Sequence, residues 1–150
     1  MAGSISAGSG GTMKKVLVGG CFDVIHFGHV DFLMSAKKLG DYLVVALESD
    51  ENVRHMKGES RPIHTQSQRK AMLTALKAVD EVILLPPLKT DEDYAKLVRS
   101  VNPSVIALTE GDPMENKKRA HADSIHAAVV VIPKIHTPST SQLTKLLGLE

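Results

Sequence analysis

Residues 14–33 read KKVLVGGCFDVIHFGHVDFL, an apolar run that ends in two glycines and is followed by two histidines three residues apart, His26 and His29. Short Val-rich runs bounded by glycine or charge are typical of strands buried on both faces. The residues after His29 carry a helical pattern that stops at Gly40 behind a pair of lysines, a typical helix end. A strand, a glycine-rich turn and a helix therefore follow one another here.

The same alternation of apolar runs and longer amphipathic stretches continues to the end of the chain. Further strand candidates read YLVVAL, EVILLP, SVIALT and AVVVIP. Strand and helix in alternation predict a parallel sheet with helices on both faces. We therefore expect a single α/β domain, a Rossmann-like, doubly wound, five-stranded parallel sheet flanked by helices.

Two amphipathic stretches are predicted helices, residues 65–79 and residues 90–102. In the first, Met72, Leu76 and Val79 fall on one apolar stripe at helical spacing. The second opens with Thr90 and Asp93 in a capping-box arrangement and stops before Pro103, which favours a helix end. Residues 49–62 are polar and read as a loop.

Composition narrows the classes of function. The 150 residues carry 18 basic and 17 acidic side chains, so no strong field attracts nucleic acid or an anionic membrane. No apolar run approaches the roughly 20 residues of a membrane span. The single cysteine, Cys21, fits a reducing cytoplasm, and a small buried hydrophobe is its expected role. Residues 1–12, rich in Gly and Ser, are interpreted as a flexible leader or an expression remnant, and residues 13–150 as the domain.

The two histidines lie where a doubly wound sheet binds its ligand, beyond the carboxyl end of a strand. Residues three apart on a helix share a face, so His26 and His29 can converge on one small group. A helix N-terminus attracts phosphate, and Gly28 would let a phosphate approach the backbone. The pattern favours an anion site made of two imidazoles.

Other interpretations of the pair are weaker. Two histidines are too few for a metal site, and neither a cysteine cluster nor a suitably spaced carboxylate stands nearby. A structural role in the helix remains open for either ring. The G-x-S-x-G, P-loop and G-x-G-x-x-G patterns are absent, and Cys21 has no helix terminus of its own to activate it.

The segment around the two histidines carries a specific resemblance to a known family. GCFDVIHFGH resembles the H-x-G-H signature of the nucleotidyltransferase superfamily, in particular its cytidylyltransferase-like branch. That branch includes heptose-phosphate adenylyltransferases, archaeal FAD synthases and glycerol-3-phosphate cytidylyltransferase. From Met13 to the C-terminus, further segments resemble the family in order: LGDYLVVALESDENVRHMKGESRPI, QSQRKAMLTALKAVDEVI, TEGD and HTPSTSQLTKLL.

The resemblance implies a reaction in which an acceptor phosphate oxygen attacks the α-phosphorus of a nucleoside triphosphate and pyrophosphate leaves. Such a step needs alignment and charge stabilisation rather than an enzyme nucleophile. The resemblance makes His26, His29 and Lys57 the catalytic residues, with Lys57 on a polar loop that could be mobile. It implies a nucleotide-binding set of Gly20, Cys21, Phe22, Asp23, Gly28, Arg69, Gly111, Asp112, Ser139, Thr140 and Ser141.

Individual roles follow from the same resemblance. Arg69 contacts phosphate or forms an ion pair on a helix surface, two roles that the sequence does not separate. Gly111 and Asp112 lie beside the base and ribose. The hydroxyls of residues 139–141 cap the last helix and donate to the β- and γ-phosphates, while Asp23 supports its loop. Mg²⁺ accompanies the triphosphate, and no protein metal site is expected. The basic run 117–119 reads as a solvated helix face.

The nucleotide and the acceptor are less specified. Relatives that resemble the glycerol phosphate enzyme have an arginine and EGI before the Ser-Thr pair, whereas this chain has His136 and Pro138. That departure favours ATP over CTP. GCFD and KGESRP favour a sugar phosphate such as heptose 1-phosphate, although TEGDP replaces the GGDY of those enzymes. FMN, glycerol 3-phosphate, and a module that binds nucleotide without turnover remain alternatives. The resemblance also implies a homodimer.

Overall fold

The computed structural model describes residues 13–149, so the predicted leader, residues 1–12, lies outside the described residues. Five strands and six helices follow in the order β1 (Lys15–Gly20), α1 (Phe27–Lys37), β2 (Tyr42–Leu47), α2 (Asp50–Lys57), α3 (Gln66–Thr74), β3 (Glu81–Leu84), α4 (Asp91–Val101), β4 (Val105–Thr109), α5 (Glu115–Ser124), β5 (Ala128–Ile132) and α6 (Thr140–Leu146). In the described part, no helix has both the length and the apolar character that a membrane span requires.

The strands form one parallel sheet in the order β3-β2-β1-β4-β5. This order confirms the predicted Rossmann-like, doubly wound sheet. Two crossovers run outward from β1 to β2 and β3, and the chain then returns to the other side of β1 through β4 and β5. Strand order therefore reverses between β1 and β4, the position where such sheets bind ligands.

The sheet opens at this reversal point. β1 pairs with β2 along its whole length, from Lys15 to Gly20, but with β4 only at Val16 and Leu17. Parallel strands that part after two pairs leave a crevice between their carboxyl ends. The last residues of β1 therefore border open space on the β4 side, and the loop after β1 lies at the mouth of that space.

Each face of the sheet has its own apolar core. Val16 and Val18 point to a core that contains Leu33 of α1 and Leu73 of α3. Leu17 points to the opposite core, which is completed by residues of α4 and α5. Because successive side chains of a strand alternate between faces, a continuous apolar run serves both cores at once.

The predicted stripe on residues 65–79 is wrong. α3 ends at Thr74, so Leu76 and Val79 lie beyond the helix, although both pack against the first core. The buried residues of α3 are Arg69 and Leu73. The long side chain of Arg69 occupies a core-facing position that the apolar periodicity does not reveal.

The polar stretch 49–62 is not a simple loop. It contains α2, which begins after Ser49, whose Oγ accepts a hydrogen bond from the backbone N–H of Asn52 at 3.1 Å. Acidic residues occupy the first turn and basic residues the last, an arrangement that the helix dipole stabilises. Lys57 is therefore the last residue of a helix rather than part of a polar loop.

Candidate active site

His26 and His29 converge because they form a capping box at the start of α1. His26 is the N-cap, and its Nδ1 accepts the backbone N–H of Gly28 at 3.0 Å. His29 is the third helical residue, and its Nδ1 accepts the backbone N–H of His26 at 3.1 Å. The prediction that the pair shares a helical face needs this correction, because His26 lies outside the helix.

The box determines where the histidine protons lie. A nitrogen that accepts a backbone N–H cannot itself carry a proton, so each neutral ring is protonated at Nε2. Both Nε2–H groups are thereby kept for a ligand. The two ring centroids lie 4.0 Å apart with a tilt of 30°, so the donors form one compact group.

Both rings are held neutral. Burial first, and then the positive charge of a protonated His26, lower the pKa of His29 to about 4. Burial also lowers the pKa of His26. At neutral pH the pair therefore offers hydrogen-bond donors without a positive charge.

Gly28 has a structural role that the sequence did not predict. A Cβ at this position would lie 2.8 Å from Cε1 of His26, closer than real Cβ atoms pack, and 3.0 Å from Cγ2 of Thr137, a tight contact. The backbone N–H of Gly28 is already bound to the His26 ring. Glycine is needed here so that the His26 ring can fold over the helix start. Gly28 also lines the second cavity described below, and its contact with a phosphate stays a prediction.

The loop between β1 and α1 holds strained backbone. Phe22 and Val24 have φ values of +47° and +50°, which are unfavourable for side chains with a Cβ, most of all for a β-branched one. Between them, the fully buried carboxylate of Asp23 accepts hydrogen bonds from Arg61 Nε at 2.9 Å and from the backbone N–H groups of Ile63 and His64 at 2.6 and 3.0 Å. These bonds hold the loop in a conformation that its local preferences oppose.

The same bonds explain the ionisation of Asp23. Burial alone would raise its pKa, but the two backbone donors and the Arg61 guanidinium together lower it. Asp23 therefore stays ionised and remains an acceptor for its three partners. With its oxygens engaged in this way, the carboxylate supports the loop, as the sequence suggested, and makes a poor metal ligand.

Arg61 is a site residue that the sequence reasoning missed. Its side chain is 2% exposed, and besides Asp23 it reaches Ser141, whose Oγ accepts a bond from one Nη at 3.4 Å. It thus joins the loop after β1 to the start of α6. The signal was present in the RPI segment, which begins with Arg61 four residues after Lys57.

Arg69 lies behind the site rather than in it. It is fully buried and donates to the carbonyl oxygens of Cys21 and His64 at 2.7 and 3.0 Å and to the Asp50 carboxylate at 2.7 Å. It lines neither of the two main cavities. The donors of Arg69 tie the loop after β1 to α2 and to the segment before α3. Neither predicted role, a phosphate contact or an ion pair on the helix surface, describes this arrangement.

The three hydroxyls near the C-terminus have separate environments. Ser139 caps α6 by accepting the backbone N–H of Gln142 at 3.1 Å. Thr140 donates its hydroxyl to the carbonyl of Val24 at 3.2 Å, which ties α6 to the strained loop. Ser141 is the partner of Arg61. The predicted cap is thus present, with two hydroxyls engaged by the loop and its supporting arginine.

Two cavities meet at the histidine pair. The first, of about 780 Å³, extends between α4 and α5 under the opened edge of β1. The second, of about 720 Å³, lies between the start of α1 and the segment 133–137 that follows β5. Both are lined by the glycines that end β1 and by Cys21, Phe22, His26, His29, Lys57 and Ser139. The arrangement offers two ligands a common boundary at the imidazoles.

The remaining predicted residues divide between these cavities. Asp112 lines the first and forms an ion pair with Lys118 at 2.7 Å, whereas Gly111, at φ +83° in the turn after β4, lines neither. Lys117 and Lys118 both line the first cavity, so the basic run 117–119 is not simply a solvated helix face. Within residues 13–149, no group of three His, Cys, Asp or Glu side chains could hold a metal ion.

Comparison with known proteins agrees with this geometry. The model of the cytidylyltransferase-like family matches residues 17–145. The bifunctional protein HldE of Campylobacter fetus is 38% identical over 141 residues, covering 93% of this chain and 29% of that protein. The FAD synthase of Ferroglobus placidus is 49% identical over 96 residues, covering 64% of this chain and 59% of that protein.

Comparison with solved structures also finds proteins of similar fold. The lipopolysaccharide core biosynthesis protein of Thermoplasma volcanium has a TM-score of 0.67 and 29% identity, covering 84% of this chain and 99% of that one. The pantoate-beta-alanine ligase of Francisella tularensis has a TM-score of 0.58 at 16% identity over 84% and 61% of the two chains, a likeness in fold alone. The chain spans less than a third of the length of the HldE protein it matches. From its sequence and fold, the chain belongs to the cytidylyltransferase-like family of nucleotidyltransferases.

Proposed function

We propose that the protein transfers AMP from ATP to a small phosphorylated acceptor and releases pyrophosphate. The observation that carries this proposal is the meeting of two cavities of similar volume at His26 and His29. A transfer between two substrates needs each of them bound, with the reacting atoms held together at one boundary. An enzyme nucleophile is unnecessary, because the attacking phosphate oxygen is already anionic at neutral pH.

Charge supports a triphosphate in the second cavity. Its only acidic lining residue among those described is Asp31, while Lys57 and Lys134 supply positive charge. In the first cavity, acidic and basic lining residues balance, so its lining is less favourable to a polyanion; they are Asp23, Glu48, Asp91 and Asp112 against Lys57, Arg61, Lys117 and Lys118. We therefore place the acceptor in the first cavity. This assignment departs from the expectation that Asp112 lies beside the base and ribose.

The histidine pair would act on the phosphorus that is transferred. Each ring presents an Nε2–H donor because its Nδ1 is occupied by the backbone. Donors fixed before the reaction stabilise charge that develops on the α-phosphate oxygens without reorganising, which commonly contributes a factor of about 10²–10³ in rate. Neutral rings serve this role throughout the neutral pH range, since their pKa values are lowered.

Lys57 and Arg61 would supply the positive charge that the neutral rings lack. Both line the first cavity, and Lys57 also lines the second. Lys57 is exposed at the end of α2 and has no ion-pair partner among the described residues, whereas Arg61 is buried against Asp23. Lys57 therefore suits a phosphate that bridges both cavities, and Arg61 a fixed site on the acceptor side.

A divalent cation, in our proposal Mg²⁺, would accompany the triphosphate and neutralise part of its charge. The chain fits an ion that arrives with its substrate, because no carboxylate cluster in the described part offers a resident site and Asp23 is engaged by its three donors. The protein residues would bind and orient the phosphates around that ion.

For the acceptor we propose a sugar phosphate such as heptose 1-phosphate, which the GCFD and KGESRP segments favour. FMN is a second candidate, supported by the lining of the first cavity. Tyr94, Leu97 and Met114 give that cavity aromatic and apolar surface suited to a flat ring system. The similarity to an FAD synthase points the same way.

Pyrophosphate release tests the proposal. The protein is incubated with Mg²⁺ and either ATP or CTP, together with heptose 1-phosphate, FMN or glycerol 3-phosphate. We expect pyrophosphate with ATP and one of the first two acceptors, and the corresponding adenylylated product by mass spectrometry. Turnover with CTP and glycerol 3-phosphate would contradict the choice of nucleotide and acceptor.

The same assay separates an enzyme from a binding module. ATP binding by calorimetry without pyrophosphate from any acceptor would contradict transfer and support a nucleotide-binding module. A homodimer is a further proposal, for which α1 offers the exposed side chains of Phe27 and Met34. Light scattering of the 16.2 kDa chain distinguishes a dimer from a monomer.

A further inference from the structure

The side chain of Glu48 lines the first cavity without a cationic partner. It follows β2 directly, and its backbone N–H donates to the carbonyl of Gly20 at 3.1 Å, which fixes it beside the end of β1. The residue is 9% exposed, yet no cation in the described part of the chain lies within ion-pair distance of its carboxylate. A buried carboxylate of this kind is costly unless hydrogen-bond donors surround it.

The donors that surround it are few and neutral. The hydroxyl of Tyr94 lies 2.9 Å from Oε2 and 3.2 Å from Oε1, and Asn52 Nδ2 donates to Oε1 at 3.3 Å. An ionised carboxylate has about four lone-pair sites for hydrogen bonds. Two donor groups do not fill them, and the carboxylate borders the cavity. The phosphorylated substrate that accepts AMP can therefore supply the remaining hydrogen-bond donors.

Electrostatics favours hydroxyl donors over an ammonium group. Four basic side chains already line the first cavity, Lys57, Arg61, Lys117 and Lys118, so the ligand need not supply a further cation to balance its acidic residues. The Glu48 carboxylate can then be satisfied by hydrogen bonds from hydroxyl groups. The Tyr94 hydroxyl, which also borders the cavity, can accept a bond from a neighbouring hydroxyl while it donates to Glu48.

We propose that Glu48, held in place by Tyr94, is the residue that selects the acceptor, and that it does so by accepting hydrogen bonds from neighbouring hydroxyl groups of a polyol phosphate. This inference rests on the proposed function, since it names the chemistry of the acceptor at that same site. It applies equally to the ring hydroxyls of a sugar phosphate and to the ribityl chain of FMN. The sequence contained only an acidic stretch after β2 and no indication of this role.

Kinetics of Glu48→Gln test the proposal, with Glu51→Gln as the matched control. Glutamine can still accept the Tyr94 hydroxyl, so folding is preserved, but its amide N–H₂ replaces an acceptor by a donor. With ATP and either heptose 1-phosphate or FMN, the KM for the acceptor should rise about 10- to 100-fold, while the KM for ATP stays within about twofold. Glu51 pairs with Lys89 outside the cavity, so its variant should match the wild type.

A second variant tests the positioning by Tyr94. Tyr94→Phe keeps the ring and removes the hydroxyl that holds both carboxylate oxygens. The acceptor KM should rise by a smaller factor than in Glu48→Gln, again without a change for ATP. A variant that changed only the melting temperature would show that the hydroxyl serves the fold and not the acceptor.

Three outcomes would overturn the inference. They are an unchanged acceptor KM in Glu48→Gln, a rise in the ATP KM instead, or wild-type turnover of phosphoethanolamine in preference to both polyol phosphates. If the wild type releases no pyrophosphate with any acceptor, the proposed function fails. Calorimetry of FMN and heptose 1-phosphate with the wild type and Glu48→Gln then decides the inference separately. Weaker binding by the variant supports it, and equal or absent binding contradicts it.

Discussion

His26 combines two roles that mutation can separate. Its Nδ1 caps α1, while the proposed donor to phosphate is the Nε2–H on the opposite side of the ring. Asparagine is among the best N-cap residues, so His26→Asn keeps the cap and loses the Nε2–H donor. His26→Ala loses both the cap and the donor. We expect both variants to lose about 10²–10³-fold in turnover. Only His26→Ala should lose about 1 kcal/mol of unfolding free energy.

Denaturant unfolding and pyrophosphate release measure these two quantities independently. If His26→Asn turned over ATP at the wild-type rate, the imidazole would be a cap and nothing more. If it unfolded as readily as His26→Ala, the cap geometry described for Nδ1 would be wrong.

Protonation of His29 gives a prediction for stability. Its pKa falls from 6.5 to about 4 on folding, chiefly through burial, so between these values the unfolded chain binds a proton that the folded chain does not. Stability must therefore decrease as pH falls from about 6.5 towards 4 and be insensitive to this group above that range. The difference between the two pKa values corresponds to at most about 3 kcal/mol. Urea titrations at several pH values between 7.5 and 4.5 measure this slope.

His29→Asn removes the titrating ring, and its amide oxygen can still accept the His26 N–H, so the slope over this range should become shallower. His55→Asn is the control, because His55 is exposed on α2. An unchanged slope in His29→Asn would mean that the ring titrates alike in both states.

At the scale of elements, the strands were predictable and the reason is physical. Strands buried on both faces must be continuously apolar, so YLVVAL predicted β2 with its exact bounds. The capping residue Thr90 made the start of α4 equally predictable. Local patterns of this kind depend only on residues close in sequence, so they can be recognised without knowledge of the fold.

Elements whose stability depends on distant partners were not predictable in the same way. The exposed face of α2 is polar apart from Met56, and only Asn52 and Val53 are buried. Arg69 occupies a core position because its guanidinium meets carbonyls from two other segments. Arg61 and Asp23 are 38 residues apart in sequence and pair only in the folded chain. Such contacts are non-local, and no periodicity marks them.

At the scale of the whole molecule, the site follows from one interruption in the sheet. β1 and β4 part after two residue pairs, and the strained loop after β1 brings the histidine box to the gap. The order of the strands thus produces two cavities, and the loop determines where they meet. Sequence reasoning placed the site at this edge of the sheet but could not divide it into two binding regions.

The shared boundary can be tested with the single cysteine of the chain. Cys21 lines both cavities, so a bound ligand in either one should block reagents that attack its thiol. Burial raises the pKa of this thiol, although the nearby Lys57 opposes the effect, so alkylation at pH 7.5 should be slower than for a free thiol. We expect ATP alone and the acceptor alone each to slow iodoacetamide labelling, measured by mass spectrometry of the intact chain.

The control is Cys21→Ser, which should take up no label under the same conditions. Protection by ATP but not by the acceptor, at concentrations where calorimetry shows both bound, would mean that only one ligand reaches the end of β1. In that case the histidine pair could not serve both substrates, because Cys21 lines the same two cavities as His26 and His29. Protection by each ligand separately is therefore the result that transfer across this boundary requires.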